Sequence, residues 1–153
     1  MLVVLGGLAA LLVFAAYTLY AFQGSATSPI PSRFTLNGKT FAITDTATNA
    51  AMREAGLMGR QVTETTVMLF VFPSPGYYKF WMYGTNSSLD MIWVSADGDL
   101  GRVVYVVSSA EPCSVQSSCI VFAPTVPASY VLEAKSGFIA TNHVEVGTLL
   151  VFS

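Results

Sequence analysis

The residues able to do chemistry in this chain are few: two cysteines, one histidine and a handful of carboxylates. Cys113 and Cys119 stand in a Pro- and Ser-rich stretch with little pattern of its own. A bridge between them would close a small loop, worth about 2–2.5 kcal/mol in the chain-entropy model. Redox work prefers a Cys-x-x-Cys spacing at a helix start, which is absent. The pair therefore reads as a structural disulfide, and disulfides persist in oxidising compartments. His143 is the single histidine. Two Cys and one His leave a tetrahedral zinc site one ligand short, so no metal and no cofactor is expected. His143 reads as a surface or capping residue. No Gly-x-Ser-x-Gly elbow supports a serine nucleophile. Glycoside chemistry needs two acids on one cleft; Asp90 with Glu64 or Glu133 is conceivable, with nothing in the sequence to bring them together.

Arg60 and Asp90 are the stronger polar candidates. Asp90 interrupts the apolar run Leu89-Asp90-Met91-Ile92, and a carboxylate in such a strand must reach solvent or a donor. Arg60 is the natural donor, because a guanidinium fork fits a carboxylate. The expectation is that the two pair and hold the turn around Arg60 against a sheet, with a ligand site using both as the sharper alternative. Aromatic residues crowd the segment from Tyr77 to Tyr83. Alternation places Tyr78, Phe80 and Met82 on one face, and Tyr77, Lys79, Trp81 and Tyr83 on the other. One face belongs to a core. The other, with Trp81, is a candidate surface for a carbohydrate or protein ligand. Asn86-Ser87-Ser88 matches the N-glycosylation acceptor pattern.

These side chains need a frame. Leu2 to Phe22 carries no charge; as a helix it rises about 31 Å, against roughly 30 Å of hydrocarbon core. Tyr17, Tyr20 and Phe22 sit where an interfacial belt would lie. The segment reads as a membrane anchor or, packed against copies of itself, as a filament core; a cleavable leader fits less well, for want of a basic start. Residues 23–32, with two prolines, glycine and serines, form a linker. From Arg33 the pattern changes to short strands: Arg33–Asn37, an Asn37-Gly38 hairpin turn, Thr40–Thr44, Val67–Phe72, Tyr77–Tyr83, Leu89–Ser95, Leu100–Val107, Ser129–Ala134 and Val144–Phe152. Thr46 or Thr48 is expected to cap a short helix ended by Gly56. Pro73-Ser74-Pro75-Gly76 is expected to break the Val67 strand, and Ser136–Asn142 to form a helical turn. The fold class is α+β and mostly β: an N-terminal apolar helix (1–22), the linker, and a compact β-barrel or sandwich-like domain with one short helix (33–153).

Composition narrows the function classes. Charged residues make up 10% of the chain, against roughly 25% in an ordinary soluble domain. The seven basic residues are scattered, so there is no stripe to displace counterions, and nucleic acid is excluded as a partner. Hydroxyl residues replace the charges, which suits a tethered, glycosylated or self-packed surface. The positive-inside rule, read from Arg33 alone, leans the other way and favours a cytoplasmic domain; the cysteine pair and the hydroxyl-rich surface outweigh it.

The run Gly56-Leu57-Met58-Gly59-Arg60, Met68-Leu69-Phe70-Val71-Phe72-Pro73, Phe80-Trp81-Met82, Thr85, Leu89-Asp90-Met91-Ile92, Asp97-Gly98, Pro112-Cys113, Cys119, Tyr130-Val131-Leu132-Glu133 and Val146-Gly147 resembles domain-of-unknown-function family 192. The resemblance spans about residues 33–152 and implies a small β-rich fold, often behind an N-terminal signal or anchor, with no established activity. Tyr83-Gly84 and Ser88 depart from the family's usual Lys-Asn and Pro. The expectation is a membrane-anchored, extracytoplasmic binding or structural module of the cell envelope, without a defined reaction. It would meet the bilayer, or copies of itself, through residues 2–22. A pilus-like filament subunit and a hydrolase using Asp90 and Arg60 are the alternatives.

Overall fold

The computed structural model describes residues 30–153. The expected apolar helix, and the linker up to residue 29, lie outside the described residues. Among those described, no helix is long and apolar enough to cross a membrane.

Among the described residues, ten strands and two short α-helices follow in the order β1 (Arg33–Leu36), β2 (Lys39–Ala42), β3 (Asp45–Ala47), α1 (Ala50–Ala55), β4 (Val67–Gly76), β5 (Phe80–Trp81), β6 (Leu89–Asp97), β7 (Leu100–Ala110), β8 (Val121–Phe122), β9 (Ala128–Lys135), α2 (Phe138–Asn142) and β10 (Leu149–Phe152). Eight of them make one sheet, ordered β2-β1-β10-β7-β6-β9-β4-β3, and β5 pairs with β8 in a separate ribbon. All neighbours are antiparallel except β3 and β4. The two edge strands, β2 and β3, are joined by Ile43 and Thr44 alone. In a flat sheet those edges would lie about 34 Å apart, at roughly 4.8 Å per strand, while the link spans at most about 11 Å. The sheet must therefore curl, and it forms a half-barrel rather than a sandwich. Thr44 ties the corner to β4: its backbone N–H and its hydroxyl both donate to the Val67 carbonyl, each at 2.9 Å, and its hydroxyl oxygen accepts the Val67 N–H at 3.0 Å.

Strand patterns explain two layers of packing. Along β10, Leu150 and Phe152 are buried and Leu149 and Val151 exposed, the alternation of a sheet with one wet face. Strands β4, β6 and β9 are buried on both sides, which is why they read as near-continuous apolar runs. Val67, Leu69, Ile92, Val94 and Leu132 enter the core inside the curl, with Phe34 and Phe152. Met68, Phe70, Met91, Trp93 and Val131 enter a second cluster on the opposite face. That outer face is covered by the α1 region and by the β5–β8 ribbon, through Leu57, Met82, Phe80 and Phe122.

Several expectations need correcting. Asn49, not Thr46 or Thr48, caps α1, accepting from the Met52 N–H at 2.9 Å. Gly56 ends it at φ 46°, where a Cβ would stand 3.4 Å from the Phe70 ring. The strand β4 continues through Pro73 and Pro75, because β3 ends opposite Phe70 and those prolines owe no N–H to a neighbour on that side. The register slips between Val71 and Gly76 to absorb them. Only Phe80–Trp81 of the Tyr77–Tyr83 segment and Leu149–Phe152 of the last segment are strand. The Asn37-Gly38 turn is as expected, with both residues at positive φ.

Candidate functional site

Two acids are buried among the described residues, Asp90 at 1% exposure and Glu133 at 4%. They occupy opposite faces of the central strands. Asp90 lies opposite Ala134 of β9 on the inner face. Its carboxylate accepts the N–H of Ser109 at 2.8 Å, of Gly137 at 3.1 Å and of Ile139 at 2.7 Å. The last two sit at the N-terminus of α2, where a carboxylate meets free amides and the favourable end of the helix dipole. The first holds Ser109 at φ 52°, a left-handed geometry uncommon outside glycine. Asp90 is thus the clamp that docks α2 and a bulge of β7 onto the sheet.

The expected Arg60–Asp90 pair is not formed. Arg60 bonds Asp45 at 2.8 Å across half-exposed side chains. The turn around Arg60 is held down as expected, but by Asp45 and by the Gly59 N–H, which donates to the Gly84 carbonyl at 2.9 Å. Sequence reasoning gave Asp90 a side-chain donor because side chains are visible in a sequence and converging backbone amides are not.

Glu133 is built differently. It faces Met68 of β4 and Met91 of β6 in register, so its parity drives it into the outer apolar cluster. Among the described residues its carboxyl has neither a hydrogen bond nor an ion pair, yet no side-chain polar atom is sealed off without a partner. Glu133 lines a cavity of about 300 Å³. Burial pushes this carboxyl from its ordinary 4.5 up to about 8, since a low-dielectric wall disfavours the charged form.

Aromatic rings wall the cavity. Phe72 and Tyr78 stack with centroids 3.5 Å apart. Phe80 meets Phe70 edge-on at 4.8 Å and Trp93 at 5.5 Å. The Trp93 indole N–H donates to the Tyr78 carbonyl at 2.9 Å and so pins that segment to β6. Trp81 and Tyr83 also line the cavity, with Thr85, Glu54 and Lys79. Arg53 lies over the Phe72 ring at 5.2 Å and donates to the Val71 carbonyl at 2.9 Å. Trp81 therefore belongs to the site, whereas Arg60 and Asp90 do not line it. The expected alternation of the Tyr77–Tyr83 segment holds: Met82 is buried, and Tyr77 is 60% and Trp81 36% exposed.

Cys113 and Cys119 form a disulfide. Cys113 packs against the outer cluster and bridges Tyr83 through the backbone, so the staple supports one wall. Asn86 is exposed, and His143 caps the end of α2 at φ 52°. No cluster of His, Cys, Asp or Glu suited to a metal occurs among the described residues.

The profile of domain-of-unknown-function family 192, described as an uncharacterized ACR, matches residues 33–152. The chain belongs to this family. No curated protein matches it. Among solved structures it is similar to a protein from Sinorhizobium meliloti described as a proposed transcription regulator, with a TM-score of 0.68 and 29% identity over 82% of this chain and 96% of that one. A protein of unknown function from Novosphingobium aromaticivorans is similar too, with a TM-score of 0.66 and 25% identity over 79% of this chain and 83% of that one. Family membership accounts for the mostly β fold and assigns no activity. Glu133 closes the Tyr-Val-Leu-Glu run that carried the resemblance; an acid following three residues of a buried strand was the available signal for the site.

Proposed function

We propose that the domain is a small-molecule binding module, that the cavity over Glu133 is its site, and that the first apolar segment tethers it outside the cytoplasm. One observation carries the binding reading: a buried carboxyl without a partner among the described residues, lining an aromatic-walled hollow. Burying a polar group without a partner is costly, and ligand sites combine apolar walls with a few converging polar groups. The location rests on the disulfide, which persists in oxidising compartments, and on the uncharged run Leu2–Phe22. Nothing in the scattered basic residues favours carrying over the regulatory description of the relative from Sinorhizobium meliloti.

Fragment titration of the full-length chain in detergent micelles, read by nuclear magnetic resonance, tests the binding site. Small arenes with one polar head are expected to shift Tyr78, Trp81 and Tyr83 together and to leave Phe34 and Ile139 unmoved. Shifts confined to other surfaces would defeat the assignment. For location, thiol blocking at cell lysis followed by mass spectrometry is expected to find Cys113 and Cys119 already joined.

The filament reading has one structural observation in its favour. Leu100, Leu149 and Val151 are each about half exposed and lie on the outer side of β7 and β10, with Val151 opposite Leu100. Electron microscopy of detergent-free material separates the two: ordered fibres support self-assembly through this strip and the first segment, dispersed particles support the tether.

A further inference from the structure

We propose that the Glu133 cavity takes a small organic ammonium ion, with the carboxylate as counter-ion and the surrounding rings as its cage. This rests on the binding reading above and names the ligand class. The strands on either side place Met68 and Met91 opposite Glu133, so neither neighbour supplies charge. The charged and titratable groups that line the cavity come from two other segments: Arg53 and Glu54 from α1, and Tyr78, Lys79 and Tyr83 beside β5. Arg53 is already committed to the Val71 carbonyl and the Phe72 ring. Lys79 is exposed, and Glu54 offsets one of the two cations. No cation of the described residues reaches the carboxyl.

An ammonium head fills that vacancy in both senses. It brings charge and several N–H donors to an acceptor that has none among the described residues. It also gains from ring faces, and the protein's own Arg53 over Phe72 shows this wall holding a cation. A ligand carboxylate would set an acceptor against an acceptor. A neutral hydroxyl would supply one weaker bond. The volume of about 300 Å³ suits an arylalkyl amine. Entry of the cation ionises Glu133, so one proton leaves as the ammonium binds, and affinity rises with pH while the carboxyl is still protonated in the empty site.

The experiment titrates the full-length chain in micelles with three phenylethyl probes that differ in the polar head, 2-phenylethylamine, 2-phenylethanol and 3-phenylpropanoate, at pH 6 and pH 8. Tyr78 and Trp81 resonances report. The expected result is an amine at least tenfold tighter than the alcohol at pH 8, with that preference falling at least tenfold at pH 6. Glu133→Gln, which keeps shape and removes the charge, is expected to erase the preference while melting no lower than the parent. An amine no tighter than the alcohol, a tighter acid, or a preference that survives in Glu133→Gln would overturn the ammonium assignment and leave a binding site in place. Failure of all three probes to move the cavity resonances would overturn both.

Discussion

Asp90, on β6, and Glu133, on the neighbouring β9, point to opposite faces of the sheet; both are almost wholly buried, and their surroundings differ. On the inner face, three backbone N–H groups converge on Asp90. On the outer face, Glu133 meets methionines and rings and has no donor among the described residues. The difference teaches that burial of an acid is no evidence of function. What separates a clamp from a site is whether the fold also delivers the donors. Where it does, the charge organises structure; where it does not, the fold carries an unmet demand that a ligand can meet.

Removing the clamp gives the largest expected effect. Asp90→Ala orphans one buried amide, that of Ile139, and two part-buried ones, those of Ser109 and Gly137, at about 1–3 kcal/mol each, part of it recovered by water. A net loss of about 3–5 kcal/mol is expected in urea unfolding, with α2 losing hydrogen-exchange protection ahead of the sheet. A loss below about 1 kcal/mol would erase the contrast.

Glu133→Gln has the opposite sign. Folding raises this carboxyl from 4.5 to about 8. Between those values the folded protein keeps a proton that the unfolded chain has released. Its contribution to stability is therefore full below about pH 4.5. It declines by about 1.4 kcal/mol per pH unit as pH rises toward 8, and is flat beyond. Glu133→Gln removes the slope. Denaturation across pH should find the variant near parity with the parent at pH 4 and more stable by about 3 kcal/mol at pH 7. A variant less stable than the parent at pH 7 would show that an unseen donor satisfies Glu133.

Reducing Cys113–Cys119 asks whether the two faces fail together. The expected cost is about 2 kcal/mol. Chemical-shift changes should gather around Trp81 and Tyr83 on the outer face and spare Asp90. The smallest effect belongs to the exposed pair Arg60–Asp45, which shows what an acid is worth when water shares it. Arg60→Ala should cost under about 1 kcal/mol, less at high salt.

Much of the domain was legible in the sequence. The Asn37-Gly38 turn, the short helix ended by Gly56 and the two-sided burial of β4 and β6 follow from local conformational limits and from the apolar runs at Met68–Phe72 and Met91–Val94. The alternation that turns Trp81 outward and Met82 inward was legible for the same reason: it is a property of consecutive residues. The disulfide was legible because a Pro- and Ser-rich loop gains from a staple and the spacing lacks the Cys-x-x-Cys of redox work.

The site was legible only in pieces. Parity alone sets which side of its strand Asp90 or Glu133 occupies. It says nothing about what waits there, because both sides of these strands are covered and a continuous apolar run marks neither as special. The donors of Asp90 arrive from Ser109 and from residues 137–139, and the walls over Glu133 from residues 53–58 and 72–85. Only the tertiary structure decides which acid meets amides and which meets rings. A hydrogen bond or a cavity is made by segments far apart in the chain, and their meeting depends on how the whole sheet curls to bring its two edges to one corner.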